Sequence, residues 1–269
     1  MKAKVYLPTL FRFVPVLIFS WLFFQWPQVS NFPRSIQEAE AATIAQDTFT
    51  EAANAFLENH TPDIGTGWSA EPTQNLEIDA ATDELGNNVG GAPSYGREGS
   101  DMTQDDVFAQ CDCMVTATGN SVHSGIMVRM ANTGLVGADG FVGRIEGSNN
   151  AARLVIAKWV NENETILATT ATDSHSLNTV YTLKLEATNE GGSTRLKLFV
   201  NGVETLNVLE STDPMQGVNN RRAGLQKRKT GSLDNWSSGT ISACSPVSDA
   251  AYVAAIAQNG QATVYWSSP

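Results

Sequence analysis

The stretch Val180–Gly202, VYTLKLEATNEGGSTRLKLFVNG, contains two short apolar runs on either side of a turn. The runs are Val180–Ala187 and Thr194–Asn201, and the segment Asn189–Gly192 between them carries the Asn and Gly residues that favour a chain reversal. Neither run has the apolar period of an amphipathic helix. The stretch therefore predicts two β-strands joined by a turn.

The same pattern extends back to Asp106, with short apolar runs separated by turn signals. The further predicted strands are Val107–Thr118, Ser121–Met130, Gly140–Ile145, Ala152–Trp159 and Thr165–Ala171. Ala80–Thr103 is rich in Gly, Asn, Asp and Ser, and it predicts a long loop. Strands at a spacing of roughly ten residues predict an all-β sandwich or barrel.

A second stretch, Asp47–Trp68, reads DTFTEAANAFLENHTPDIGTGW. It resembles the opening of bacterial secreted concanavalin A-like, laminin-G-like lectin and glucanase modules, and later segments follow in the order of that family. These are GIMVR at Gly125–Arg129, DGFVGRI at Asp139–Ile145, LKLEA at Leu183–Ala187, LKLFVNG at Leu196–Gly202 and LDNW at Leu233–Trp236. The resemblance covers Ala42–Ala243 and implies a jelly-roll β-sandwich of two antiparallel sheets.

Both ends of the chain differ from this body. Lys2 and Lys4 precede the apolar block Phe13–Trp26, and Ala39–Ala41 has the small-x-small pattern of a cleavage site. This order predicts a secretory signal peptide, because the block is short of the roughly 20 residues that span a bilayer. The tail AYVAAIAQNGQATVYWSSP resembles the first strands of a fibronectin type III domain, and predicts a short extra β segment. The predicted division is 1–41 signal peptide, 42–243 sandwich, and 244–269 linker and partial fibronectin type III-like segment.

The net charge and the cysteine content bear on the expected partners and location of the protein. The formal net charge is −11, which disfavours binding to a phosphate backbone, so nucleic acid is not an expected partner. We expect a secreted protein, free or associated with the cell surface, with no membrane contact after signal cleavage.

In an oxidising compartment one disulfide is possible among the three cysteines. Because a bond within Cys111–Cys113 closes a very short loop, we predict Cys113–Cys244, with Cys111 as the alternative partner of Cys244.

One face of the predicted sheet collects residues suited to ligand binding. If Ile126, Val128 and Met130 point into the core, alternate residues of the same strand share the opposite face. Sugars are commonly held by charged and amide side chains together with aromatic rings. The predicted ligand-binding residues are Tyr95, His123, Arg129, Arg144, Glu146 and Trp159. A merely solvated face is an equal alternative.

Metal and catalytic signals are weaker. Oxygen ligands for a structural calcium ion are offered by Asp47, Asp139 and Asp234, but no contiguous calcium-loop motif is present. We expect no cofactor, with calcium left open. Glu77 and Asp79 resemble the start of the E-x-D-x-E strand of laminarinase-like hydrolases, but the third acid is missing.

Three functions remain open, and the first is preferred. It is a non-catalytic extracellular binding module for a glycan or a surface polymer. The second is a structural or self-assembling surface component whose tail strands pair with another chain or another surface protein. The third is a glycoside hydrolase, motivated by Glu77 and Asp79.

Overall fold

The computed structural model describes residues 41–71, 73–87, 93–131, 139–161, 163–212, 215–241, 254–258 and 261–265. The predicted signal peptide therefore lies outside the described residues, apart from Ala41. In chain order the strands are β1 (Ala41–Asp47), β2 (Ala55–Phe56), β3 (Trp68–Glu71), β4 (Leu76–Asp79), β5 (Glu84–Asn87), β6 (Ser94–Glu98), β7 (Val107–Met114), β8 (His123–Met130), β9 (Gly140–Gly147), β10 (Ala152–Val160), β11 (Asn163–Thr169), β12 (Tyr181–Glu190), β13 (Ser193–Val200), β14 (Val203–Glu210), β15 (Arg222–Arg228), β16 (Ser232–Ile241), β17 (Ala254–Gln258) and β18 (Gln261–Tyr265). Two short 3-10 turns lie at Leu57–Asn59 and Val218–Asn220.

The strands form two antiparallel sheets and a separate hairpin. Sheet A has nine strands in the order β14-β13-β12-β7-β16-β5-β4-β2, with β1 also paired to β16. Sheet B has seven strands in the order β11-β10-β9-β8-β15-β6-β3. The chain passes repeatedly from one sheet to the other, which confirms the predicted jelly-roll sandwich. No helix among the described residues is long and apolar enough to cross a membrane.

The main core lies between the sheets. Strand β7 shows how the sequence builds it, because its buried and partly exposed residues alternate along the strand. Trp236 of β16 is fully buried and packs edge-on against Trp68 of β3, with ring centroids 4.7 Å apart. The Trp236 Nε1 also donates to the Gly224 carbonyl at 3.1 Å, which joins the two sheets.

The predicted cysteine pairing is wrong. The structure joins Cys111 to Cys113, both fully buried in β7. Residues two apart on a strand point to the same side, so both sulfur atoms reach the same part of the core. Cys244 lies outside the described residues.

The predicted loop Ala80–Thr103 is also wrong in part, because it contains β5 and β6. In β6 the inward positions are Ser94, Gly96 and Glu98, which carry no apolar signal. Glu98 is fully buried, and its carboxylate accepts from Thr66 N at 2.7 Å and Ser100 N at 2.7 Å. Backbone N–H groups thus satisfy an inward carboxylate where a strand pattern would show an apolar residue.

The fibronectin type III-like identity of the tail stays a prediction. Its described part is the hairpin of β17 and β18, paired from Ala254–Tyr265 to Gln258–Gln261.

Candidate functional site

The face of sheet B that points away from sheet A, here called the outer face, collects most of the predicted ligand-binding residues. Strand pairing arranges them in rows across the sheet. The central row contains Val155, Arg144, Gly125, Gln226, Tyr95 and Glu71. A neighbouring row contains Ala157, Val142, Met127, Gly224, Arg97 and Ser69. On the other side lie Arg153, Glu146, His123 and Arg228.

An ion-pair network occupies one end of the outer face. Arg144 donates from Nε and Nη2 to Glu146 Oε2 at 2.9 and 2.7 Å, and from Nη1 to Glu164. Arg153 donates from Nε to the other oxygen of Glu146 at 2.8 Å. The side chains of Arg144 and Glu146 are 3% and 1% exposed, so each charge needs the partners that the network provides.

An aromatic and apolar cluster adjoins the network. Tyr95 and Trp159 meet edge to face, with ring centroids 5.7 Å apart. They belong to a cluster separate from the main core, made of Tyr95, Met127, Met130, Val142 and Trp159. Burial raises the pKa of the Tyr95 hydroxyl to about 12. The nearby Gln226 side chain acts in the opposite direction, but its Nε2 does not meet the hydroxyl in hydrogen-bond geometry. The hydroxyl therefore stays protonated at neutral pH.

Several buried polar atoms of the outer face have no hydrogen-bond partner in the part of the chain that the structure describes. They are the Trp159 Nε1, the Gln226 Nε2 and both ring nitrogens of His123. The three residues are 9%, 0% and 2% exposed. A buried donor left unpaired costs about 1–3 kcal/mol, so most buried polar groups in native proteins are paired.

The His123 imidazole is neutral in this environment. Burial lowers its pKa well below the ordinary value, and the positive charges of Arg144, Arg228 and Lys227 add to the effect. The backbone of Asn120 opposes the shift slightly, but it does not meet the ring in hydrogen-bond geometry. A neutral imidazole offers one donor and one acceptor.

Two positions of the outer face have no room for a side chain, and both are glycines. A Cβ at Gly125 would overlap the Arg144 side chain, and one at Gly224 would overlap the Gly96 carbonyl. The strands at the centre of the sheet, β8 and β15, therefore present backbone between the flanking side chains. The two glycines therefore allow the Arg144 side chain and the Gly96 carbonyl to lie close against these strands.

The structure places Arg129 elsewhere, so its predicted position on the outer face is wrong. Arg129 has a φ of 53°, and this left-handed residue breaks the alternation of β8. Its side chain reaches sheet A, where it donates to Thr194 Oγ1 at 2.6 Å and Asn189 Oδ1 at 2.8 Å. As a consequence Met130 lies in the outer cluster instead of the main core.

The other five predicted residues, Tyr95, His123, Arg144, Glu146 and Trp159, do lie on the outer face. Their role in ligand binding stays a prediction. Sequence reasoning missed Gln226, Arg153 and Glu164. Strand β15 gave no signal, because its inward positions include Lys227 and its apolar residues are few.

The predicted calcium ligands do not converge. Within the described residues no group of three or more His, Cys, Asp or Glu side chains is placed to hold a metal ion. Asp139 accepts from Asn161 N at 2.6 Å and Asp234 from Asn235 N at 2.6 Å, so each stabilises its local backbone. The described residues therefore do not fit a calcium site built from Asp47, Asp139 and Asp234.

Asp47 instead forms the centre of a buried group, here called the Asp47 cluster, with Glu51, His60 and Trp68. The His60 Nε2 lies 2.8 Å from Asp47 Oδ1 and its Nδ1 lies 2.6 Å from Glu51 Oε1. Asp47 Oδ2 accepts from the Trp68 Nε1 at 2.6 Å. Burial raises the pKa of Asp47 and acts to lower that of His60, but the hydrogen bonds and charges of Glu51 and Asp47 raise the His60 pKa overall.

The acids that suggested catalysis lie in the other sheet. Glu77 and Asp79 belong to β4 of sheet A, and Asp79 Oδ1 accepts from Ala81 N at 2.9 Å in the turn that follows. Asp79 therefore stabilises a hairpin turn.

No protein-family model and no curated protein matches the chain. Among solved structures, the carbohydrate-binding module CBM66 from Bacillus subtilis is 16% identical with a TM-score of 0.48, and the match covers 65% of this chain and 97% of that one. A protein of unknown function with a galectin-like fold from Bacillus subtilis is 10% identical with a TM-score of 0.46, covering 71% and 97%. The β-glucanase of Bacillus licheniformis is 9% identical with a TM-score of 0.44, covering 71% and 99%. At these values the fold assignment rests on the sheet order itself.

Proposed function

We propose that the chain is a non-catalytic extracellular module that binds a glycan, or another surface polymer rich in hydroxyl groups, on the outer face of sheet B. The observation that carries the proposal is the combination of an aromatic pair with unpaired polar atoms on one face. Tyr95 and Trp159, which are 7% and 9% exposed, supply the aromatic rings, while Trp159 Nε1, Gln226 Nε2 and His123 supply hydrogen-bonding groups. Ligand sites typically combine apolar lining with a few fixed polar groups of this kind.

The ion-pair network supports the proposal by fixing the floor of the site. Arg144 donates to two carboxylates and to Gln226 Oε1 at 3.4 Å, so it also orients the Gln226 amide. A preformed surface loses little conformational entropy when it binds a ligand.

Two arguments support the non-catalytic and extracellular parts of the proposal. A retaining glycosidase needs one carboxyl group as nucleophile and another to deliver a proton. On the outer face, Glu146 and Glu164 are both bound to Arg144 instead. The Cys111–Cys113 disulfide and the predicted signal peptide are typical of an exported protein.

The test is a glycan panel probed with the full chain expressed with its own leader. We expect binding that falls by about 10- to 100-fold in Trp159→Ala, since a buried aromatic side chain contributes about 1.5–3 kcal/mol. Phe199→Ala is the matched control, because Phe199 is a half-buried aromatic of sheet A that lies against Lys184. Circular dichroism checks that both variants fold. A panel without binding, or equal loss in both variants, contradicts the proposal.

A self-assembling surface component is the second candidate, favoured by the edge strands. Within the described residues β11 and β14 each pair on one side, and they expose Ile166 (49%) and Leu209 (44%). Exposed edges can add strands from another chain. Light scattering distinguishes this case. An oligomer that forms with increasing concentration, and that the Ile166→Lys variant does not form, would favour it; a stable monomer would exclude it.

A further inference from the structure

The outer face also indicates the charge of the ligand, an inference that rests on the proposed function. Every guanidinium nitrogen of Arg144 donates to a neighbouring side chain, because Nε and Nη2 meet Glu146 while Nη1 meets Glu164 and Gln226. Arg153 is bound to Glu146. The four charges of this network, two positive and two negative, cancel one another.

The remaining arginines of the face are occupied as well. Arg97 donates from Nη1 to the Ala131 carbonyl at 2.7 Å, and burial, followed by the charge of Arg222, lowers its pKa. Arg228 also has an interaction of its own. An anionic ligand could pair with Arg144 or Arg153 only by displacing Glu146 or Glu164, which would leave that carboxylate without its positive partner.

The buried atoms that lack a hydrogen-bond partner differ from these arginines, because they belong to uncharged groups. Trp159 Nε1 and Gln226 Nε2 are donors without charge, and His123 offers one donor and one acceptor. A hydroxyl group both donates and accepts, so a ligand with several hydroxyl groups matches this set.

These groups are close in the sheet. Gln226 lies beside Tyr95 in the central row, and His123 is one row away on β8, where it pairs with Glu146. Trp159 joins the set through its ring contact with Tyr95. Gly125 lies between Gln226 and Arg144 in the central row.

We infer that the outer face of sheet B selects an uncharged saccharide, whose hydroxyl oxygens accept from Trp159 Nε1 and Gln226 Nε2 and form a two-way hydrogen bond with His123. The sugar ring lies against the Tyr95–Trp159 pair. Uronic acid polymers and sulfated polymers do not bind this face.

The experiment titrates the full chain, expressed with its own leader, with two sets of probes by isothermal calorimetry. The neutral set is β-glucan, fructan, mannan and galactan; the anionic set is polygalacturonate, alginate and heparin. Two variants of the face are compared with wild type. Trp159→Phe keeps the ring but removes the donor, and Gln226→Glu replaces the amide donor by a carboxylate. Gln110→Glu on β7 of sheet A is the matched control.

We expect binding within the neutral set, reduced by about tenfold in each face variant, as loss of one hydrogen bond to a neutral ligand implies, and unchanged in Gln110→Glu. Binding to anionic probes alone overturns the inference but leaves the proposed function standing. Neutral binding that both face variants retain also overturns it, because the ligand then lies elsewhere. Binding to neither set removes the proposed function and the inference with it.

Discussion

The Asp47 cluster and the polar side chains on the outer face of sheet B are both buried. Only the Asp47 cluster is closed, in the sense that the polar atoms at its centre all have hydrogen-bond partners. In the Asp47 cluster, each oxygen of Asp47 and each ring nitrogen of His60 has a partner within 2.8 Å. On the outer face, the nitrogens of Trp159, Gln226 and His123 have none among the described residues.

This difference separates a structural role from a binding role. A fully paired cluster has no hydrogen-bonding capacity left, so its contribution is to fix β1 against β3 and the segment before His60. A partly paired cluster is stabilised when a further molecule binds and supplies the missing hydrogen-bond partners. The same three residue types, His, Trp and a carboxylate, occur in both places, and only the pairing differs.

Removing the centre of the closed cluster should have the largest effect on stability. Asp47→Ala leaves His60, Trp68 and the Phe49 N–H without their acceptor. We expect a loss of about 3–5 kcal/mol in the free energy of unfolding, measured by urea denaturation. Asp139→Ala is the control, and it should cost less than about 1 kcal/mol because Asp139 accepts one bond at an exposed turn. Equal losses would contradict the structural role of Asp47.

Lys227 provides an intermediate case, because it is a charged group on the inward side of sheet B. It is fully buried and donates to the Lys229 carbonyl at 2.8 Å, and burial lowers its pKa to about 7. A lowered lysine pKa destabilises the fold most below that value and progressively less as the pH rises toward the unfolded pKa. We expect Lys227→Met to add about 2–4 kcal/mol to the free energy of unfolding at pH 6.

The gain for Lys227→Met should be smaller at pH 9. The check is a pair of denaturation curves at the two pH values. A gain that is the same at both, or a destabilised variant at pH 6, would show that the ammonium group has partners that compensate its burial.

The fold was predictable from the sequence where inward positions are apolar, and not where they are polar. The strands around Val180–Gly202 were found because leucines mark the inward side of β12 and β13. Strands β6 and β15 were missed because Glu98 and Lys227 take inward positions there. Backbone groups satisfy both side chains, Thr66 N for Glu98 and the Lys229 carbonyl for Lys227.

The alternation of side chains along strands also predicted most of the candidate site. That prediction failed at one residue where the backbone departs from a regular strand. Alternation along β8 and β9 correctly puts His123, Arg144 and Glu146 on one face. It fails for Arg129, since a left-handed residue reverses the side on which the next side chains point. Whether such a residue stands within a strand is decided by tertiary contacts, here the bonds from Arg129 to Thr194 and Asn189.

The closed cluster should also make stability depend on pH. The raised pKa of His60 means that its contribution is fully present below the unfolded value near 6.5 and is lost as the pH rises through the folded pKa. We expect the difference in unfolding free energy between wild type and His60→Gln to be larger at pH 5.5 than at pH 9. A difference that is constant with pH would contradict a charged His60 in the folded protein.

The smallest expected effect concerns salt. If the ligand of the outer face is uncharged, its affinity should change less than about twofold between 50 mM and 500 mM NaCl, because screening acts on charged partners. Titration at the two salt concentrations checks this. A steep loss of affinity with salt would assign the binding to arginine side chains instead.

Amide hydrogen exchange would show whether the ligand lies on the outer face of sheet B. The full chain is compared with and without the neutral polysaccharide that binds best in the panel. We expect slower exchange in β8, β9 and β15, with β12 to β14 of sheet A unchanged. Protection confined to sheet A, or to the Asp47 cluster, would contradict it.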